Sequence, residues 1–240
     1  MGKTSLENTG YQIIDNFIQP NECDEFLEII AQYRENHELK EIYRPVKRRS
    51  LRYQVIDGEQ IKEGLGKIWD FYNSRIYDLI SGLVSIDLAP LANTRVGVNI
   101  NVMQPGKSEY RWHYDRTRLT AMLYLNHVEG GETEIYPNYR ILLENNSHTR
   151  RQRVLDSFLQ IGPIRALFGK KMVISPRAGR VAIILGNRCW HSVRSVTGAD
   201  ERINIISAFD IPGLEFPMQK GLDSYLYTQA DSDSADPNYS

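Results

Sequence analysis

The hydrophobic pattern divides the chain into a helical first third and a strand-rich remainder. Residues 11–18, Tyr-Gln-Ile-Ile-Asp-Asn-Phe-Ile, read as a short strand. Pro20-Asn21 followed by Glu22, Asp24 and Glu25 marks a helix start, because carboxylates favour the positive end of a helix dipole. Phe26, Leu27, Ile29, Ile30 and Tyr33 give that helix one apolar face. A second helix is predicted from about Glu59 to Ser81, where Ile61, Leu65, Ile68, Trp69, Tyr72, Ile76, Leu79 and Ile80 recur at helical spacing. Both helices are expected to pack against the outer face of a sheet. Between them, the basic segment Arg44 to Arg52, with Arg48 and Arg49 at its centre, is either a solvated loop or a rim that attracts an anionic substrate.

From Thr94 the period shortens. Arg95 to Met103 reads as a strand, with Pro105-Gly106 as a turn. Thr120 to Asn126 is the next strand. Gly130-Gly131 then allows a tight return with positive φ before Glu132-Thr-Glu-Ile-Tyr136 resumes alternation. Val173 to Ser175, the turn Pro176-Arg-Ala-Gly179, the buried run Val181 to Leu185, and Arg202 to Phe209 complete the set. The last strand puts Arg202, Asn204 and Ile206 on one face. Residues 138–171 interrupt the pattern with the basic run Arg150-Arg151-x-Arg153, an apolar helical piece from Val154 to Leu159, and a Gly162-Pro163 break. Periodicity alone yields helices followed by an all-β domain.

Candidate chemistry enters at Tyr110-Arg-Trp-His113-Tyr-Asp115-Arg116. In a strand, residues two apart share a face, so His113 and Asp115 could both reach one small object. His191, after the apolar run that ends at Leu185, supplies a second imidazole. Two imidazoles and one carboxylate leave three positions of a metal open, the ligand set that suits non-haem Fe(II) oxygenases. Cys189, two residues before His191, is read as a small buried hydrophobe in preference to a further ligand.

In this ordered set the sequence resembles the Fe(II)/2-oxoglutarate-dependent dioxygenases, and within them the prolyl-4-hydroxylase-like branch. The resemblance is carried by His113-x-Asp115, Tyr124-Leu-Asn126, Gly130-Gly-Glu-Thr133 with Tyr136-Pro137, Pro176-Arg-Ala-Gly179, His191-Ser-Val and Arg202-Ile-Asn204. It implies a mainly β fold with flanking α: a double-stranded β-helix, or jelly-roll, cupin-like barrel with N-terminal helices packed outside. It also implies that His113, Asp115 and His191 hold Fe(II). The cosubstrates implied are 2-oxoglutarate and O2, with succinate and CO2 as products and ascorbate a candidate reductant. Arg202 is the choice for the distal carboxylate of 2-oxoglutarate, since a buried planar guanidinium binds a carboxylate in two places. Tyr124 is its expected helper, with Thr133 and Asn204 beside the cosubstrate. Asn101 stands where a nucleic-acid-repair branch carries a cosubstrate-binding asparagine, and a plain inward polar residue is the equal alternative; Met103 stands where that branch has a tyrosine. Arg194 is the competing arginine, otherwise a surface or substrate-facing residue. Tyr110, Arg48 and Arg49 are further substrate candidates.

Composition narrows the class. The chain has 240 residues, 41% hydrophobic and 25% charged, which is enough for one core. Residues 1–228 are expected to form one domain: helical support over 1–90, a barrel over 91–215, and an insertion at 138–171 that is either a lid or a structural excursion. A polar, acidic tail over 229–240 is expected to be disordered. A net charge of −1, from 29 basic and 30 acidic residues, gives no reason to expect a nucleic-acid or membrane partner. Two distant cysteines, Cys23 and Cys189, point to a reducing compartment, and the absence of a leader-like or spanning segment points to a soluble cytoplasmic protein. The expected activity is hydroxylation of a small molecule, an amino acid or biosynthetic intermediate with an anionic group. The alternatives are a peptidyl-prolyl hydroxylase and a non-catalytic sensor of 2-oxoglutarate and metal.

Overall fold

The computed structural model describes residues 4–44, 51–108, 110–143 and 149–213. In chain order the elements are α1 (Ser5–Thr9), β1 (Tyr11–Ile14), α2 (Pro20–Asn36), β2 (Lys40–Arg44), β3 (Leu51–Ile56), α3 (Gly58–Gly64), α4 (Gly66–Phe71), a π-helical turn (Tyr72–Ile76) and α5 (Tyr77–Leu83). They continue with β4 (Ala89–Pro90), α6 (Thr94–Gly97), β5 (Val98–Met103), β6 (Tyr110–His113), β7 (Leu119–Tyr124), β8 (Thr133–Tyr136), α7 (Arg150–Leu159) and α8 (Gly162–Phe168). The last are β9 (Met172–Ile174), β10 (Val181–Ile184), β11 (Trp190–Val193) and β12 (Arg202–Asp210).

Two antiparallel sheets carry the fold. The major sheet runs β1-β10-β7-β12-β5-β3-β2, with β4 also paired to β12; the minor sheet runs β6-β11-β8-β9. This is the mainly β, helix-flanked architecture expected of a double-stranded β-helix, with two antiparallel sheets and, among the described residues, no closed barrel. Strands β7 and β10 are buried along their whole length, because each is covered on both sides. The N-terminal third is less purely helical than expected. β1 extends one edge of the major sheet, and β2 and β3 extend the other, so the segment read as a charged loop is in part a strand pair.

α2 starts where Pro20 predicts. Glu22 caps the Gln19 amide, and Cys23, Phe26, Ile30 and Tyr33 form the buried face. Burying each large apolar side chain contributes roughly 1.5–3 kcal/mol. The predicted second helix is broken instead of continuous. Leu65 leaves helical geometry at φ −130° and ψ 49°, between two glycines. A side chain at Gly64 would come within 2.8 Å of the Tyr33 ring, so the close approach of α2 forbids a larger residue at the break. Thr94 to Gly97 is a helical turn, capped by the Asn93 side chain, where a strand was expected. Among the described residues no helix is long and apolar enough to cross a membrane.

The insertion packs on the minor sheet. Tyr114, Tyr139, Leu159 and Trp190 form an aromatic cluster with Trp112, Tyr136, Leu155 and Ile164. Alternation along β6 and β11 places Trp112 and Trp190 on the face opposite His113 and His191. Arg140 fixes the arrangement: its buried guanidinium lies 2.6 Å from Asp156 on α7 and 4.6 Å from the centre of the Tyr114 ring. Removing one partner of a buried ion pair leaves an uncompensated charge. Asp156→Ala is therefore expected to destabilise the domain by ~3–5 kcal/mol in urea unfolding. The double replacement Arg140→Met with Asp156→Leu is expected to cost less; a wild-type midpoint for Asp156→Ala would show that the pair fixes nothing.

Candidate active site

Strand pairing brings the two histidines together. His191 on β11 faces His113 on β6 in register, with ring centroids 4.1 Å apart. The third member arrives differently from the sequence argument, because β6 ends at His113 and Asp115 lies beyond it. Its amide donates to the Gly186 carbonyl at 3.0 Å and its Oδ2 accepts from Thr120 at 2.6 Å. That leaves Oδ1 3.3 Å from Nε2 of both His113 and His191. Among the described residues this is the one cluster of three such groups placed to hold a metal ion.

The protons can be assigned from the far side of each ring. His113 Nδ1 is 2.8 Å from the Arg111 carbonyl, and His191 Nδ1 is 2.9 Å from the Cys189 carbonyl. A carbonyl only accepts, so each Nδ1 donates, and each neutral imidazole turns its Nε2 lone pair toward Asp115. Burial and the neighbouring His191 charge lower the pKa of His113. Burial alone would raise that of Asp115, yet the positive charge and Nε2–H donors of the imidazoles in their protonated forms hold it well below the usual carboxylate range. For His191 burial pulls downward and the Asp115 charge prevails, raising it. Two lone pairs and a carboxylate oxygen converging on one buried point call for a cation there.

Arg202 supplies the second concentration of charge. It is 2% exposed, and its guanidinium donates to Asn204 Oδ1 at 2.7 Å, Met103 Sδ at 3.2 Å and Thr133 Oγ1 at 3.4 Å. Its Cζ lies 5.1 Å from the centre of the Tyr124 ring, whose hydroxyl is 2.8 Å from Thr133. Burial lowers its pKa, and no carboxylate pairs with it among the described residues. A side chain at Gly131, where φ is +64°, would come within 2.8 Å of Arg202 Cδ, so that glycine clears the path of the arginine. Arg202 Nε, Asn204 Nδ2 and Asn101 Oδ1 are buried without a hydrogen-bond partner. Buried polar atoms are rarely left so; Arg202 Nε, a donor of a cavity-lining residue, fits a carboxylate, whereas Asn101 Oδ1 as placed can only accept.

Both centres open into one cavity of about 120 Å3, many times the ~10–15 Å3 that one water requires. His113, Asp115, His191, Arg202, Asn101 and Met103 are among its lining, and Met103 thus occupies the wall where a tyrosine was compared. Tyr124, Thr133 and Asn204 are not in the lining; they surround the guanidinium from behind. Tyr110 lines the cavity with its ring 4.7 Å from that of His113. Arg194, expected as a competitor or substrate residue, is spent on Glu134 at 2.7 Å, and with Lys171 it lowers the Glu134 pKa to about 2 against the effect of burial. Arg48 and Arg49 lie outside the described residues. Arg52 is paired with Glu41 at 2.9 Å, and none of Arg150, Arg151 and Arg153 lines the cavity. Cys189 is fully buried, donates to the Gly10 carbonyl at 3.1 Å and has its pKa raised to about 12 by burial. Thr117, Thr120, Arg116, Asn99 and Met122 also line the cavity and were not singled out from sequence. A threonine in a strand carries no local mark of such a position.

The model of the 2OG-Fe(II) oxygenase superfamily matches residues 98–209, the stretch that contains the three-residue cluster and Arg202. Over this stretch the chain is a member of the 2OG-Fe(II) oxygenase superfamily. Its cofactors are accordingly Fe(II) and 2-oxoglutarate, with O2 as oxidant. Solved structures share the fold at low identity. A non-haem alpha ketoglutarate dependent carbocyclase, SnoK from nogalamycin biosynthesis, is 17% identical with a TM-score of 0.65, covering 86% of this chain and 81% of that one. A Trichoplax adhaerens prolyl hydroxylase, in complex with a hypoxia inducible factor peptide fragment, is 17% identical with a TM-score of 0.62, covering 88% and 87%. HygX from Streptomyces hygroscopicus, with nickel and 2-oxoglutarate bound, is 11% identical with a TM-score of 0.57, covering 87% and 85%. Among curated proteins none matches the chain in sequence.

In this oxygenase, His113→Ala and His191→Ala are each expected to abolish metal binding and turnover. His37, stacked on Tyr33, and His127, bonded to the Pro176 carbonyl, are expected to be dispensable, as is His148, which lies outside the described residues. Equilibrium titration with a divalent ion checks this, and full metal affinity in either alanine variant would contradict the assignment.

Proposed function

We propose that this oxygenase hydroxylates a C–H bond of a small molecule, with His113, Asp115 and His191 holding Fe(II) and Arg202 binding the distal carboxylate of 2-oxoglutarate. The observation that carries the reading is the buried Arg202 guanidinium, without an acidic partner among the described residues, in the same cavity as three convergent metal-ligating atoms. A cation of this kind, kept at the cost of desolvation, fits an anionic ligand that completes it. Fe(II) with 2-oxoglutarate and O2 supplies the oxidising power, and the cosubstrate leaves as succinate and CO2. Asn204, Thr133 and the Tyr124 ring hold the guanidinium in one orientation, and Asn101 faces the cosubstrate.

The apolar share of the cavity lining supports a small, largely apolar substrate. Leu91, Val96, Met122, Ile206 and Ala208 form its walls and exclude water from the reacting centre. Asn99 and Arg116 are among the polar residues of that lining. The two basic segments read from sequence lend an anionic substrate no support where they are described, since Arg52 is paired and the α7 arginines lie off the cavity. The origin of the SnoK carbocyclase in nogalamycin biosynthesis is consistent with a biosynthetic intermediate as substrate.

Arg202→Ala is expected to raise the apparent KM for 2-oxoglutarate by ~10-fold or more, as losing a charge-assisted hydrogen bond of about 1.5–3 kcal/mol implies. Arg194→Ala is expected to leave it unchanged, and the reverse pattern would mean that the wrong arginine was chosen. The substrate class is tested by succinate release from the purified enzyme, first against pooled cell metabolites and then against proline-containing peptides. Stimulation by peptides alone would replace the small-molecule reading with a peptidyl hydroxylase.

A further inference from the structure

We infer that Thr120 and Gly186 together form a positioning clamp that makes Asp115 a one-oxygen ligand and so keeps metal positions open for 2-oxoglutarate and O2. The inference rests on the reading of His113, Asp115 and His191 as the metal site.

Asp115 needs such a device because β6 stops two residues before it, and strand alternation no longer sets its direction. The torsion that swings a carboxylate is broad, and its two oxygens are chemically alike. Something else must therefore decide which oxygen faces the histidines. Thr120 does so from β7. Its Oγ1 is 2.6 Å from Asp115 Oδ2, and because an ionised carboxylate only accepts, the hydroxyl is the donor. A hydroxyl has one proton to give, so Thr117, whose Oγ1 is 3.5 Å from that of Thr120, is left to donate to Thr120 in turn. Thr120 is β-branched, 6% exposed and in register with Ile184 of β10, so its side chain is held in one rotamer by a rigid strand pair.

Gly186 closes the other side. Its carbonyl accepts the Asp115 amide at 3.0 Å. A Cβ there would lie 2.6 Å from Asp115 Oδ2, 2.7 Å from Asp115 Cβ and 2.9 Å from Thr120 Oγ1. Its backbone is outside the left-handed region, so space is what excludes a side chain. With Oδ2 engaged by Thr120 and walled by Gly186, Oδ1 alone faces the two Nε2 atoms. A carboxylate free to turn could bring both oxygens to the ion and fill a position that the cosubstrates require.

The test uses anaerobic Co(II) titration of the metal-free full chain, followed by the visible absorption of the bound ion, with thermal midpoints of the metal-free proteins measured alongside. Loss of an outer partner of a metal ligand typically weakens metal binding by about 10–100-fold, and that loss is expected for Thr120→Val, which keeps shape and removes the donor. Thr120→Ser restores the hydroxyl and is expected to remain within about threefold of wild type, well short of that loss. Gly186→Ala is expected to weaken Co(II) as Thr120→Val does, by displacing Oδ2, and it decides the matter if the valine variant does not fold. Wild-type affinity in Thr120→Val or, where that variant does not fold, in Gly186→Ala overturns the clamp, as does an equal loss in Thr120→Ser. His113→Ala separates the two levels: if it too binds Co(II) normally the metal-site reading fails, whereas if it loses Co(II) while Thr120→Val does not, only the clamp fails.

Discussion

The constraint on which the site depends is that two imidazoles and a carboxylate oxygen are held at one buried point, with Asp115 Oδ1 3.3 Å from Nε2 of each histidine. Each such group left uncompensated costs about 1–3 kcal/mol, so the arrangement exists only because the surrounding structure over-determines it. The β6–β11 pairing supplies the histidines, and the backbone carbonyls of Arg111 and Cys189 turn both rings. Behind them the Trp112 and Trp190 layer is backed by α7 and α8, with Arg140 and Asp156 closing over Tyr114. Tyr114 is the residue between His113 and Asp115, so this packing on the outer face restrains the backbone of two of the three groups.

Charge explains why Arg202 is in the same cavity. On the proposed reading, a divalent ion held by one carboxylate and two neutral imidazoles would leave one positive charge, and Arg202 would add another. 2-Oxoglutarate carries two negative charges, so the dicarboxylate would neutralise the cavity on binding. The cavity therefore has an electrostatic use for this cosubstrate that a monocarboxylate would meet only by half. Asn204, Thr133, Met103 and Tyr124 solvate the guanidinium from behind without cancelling its charge, which a carboxylate in any of those places would do.

Much of this was legible in the sequence because it is periodic or ordered along the chain. The strands from Val98 onward, the α2 start at Pro20 and the helical piece within 138–171 follow from patterns a few residues long. His113, Asp115, His191 and Arg202 were picked out by order and type, and the structure brings them into one cavity. The reason given for Asp115 was nevertheless incomplete, since two-residue alternation does not extend past the end of β6. What places it comes from five and seventy-one positions away in sequence, at Thr120 and Gly186, and no local pattern marks such partners. Arg52 was misjudged for the same reason: Glu41 neutralises it across a β2–β3 register that the sequence alone does not show. The helix break at Leu65 was hidden because apolar spacing continues through it, while two flanking glycines and the approach of Tyr33 decide the local geometry.

The insertion shows how a correctly read element can be left without a place by the sequence. Chain position alone sets residues 138–171 between strands that flank the metal, which suits a cover over the cavity as well as a support beneath it. Burial separates the two: Tyr139, Arg140, Gln152, Asp156 and Leu159 are buried against the aromatic layer on the outer face of the minor sheet, and no described residue of the insertion lines the cavity. The described part therefore serves as a buttress. With the metal-ligating groups fixed from behind, the cavity walls at Asn99, Met122 and Ile206 are free to differ without disturbing them. Structures 11–17% identical to this chain can thus keep the same fold, and what a member acts on has to be sought in those walls instead of in the fold.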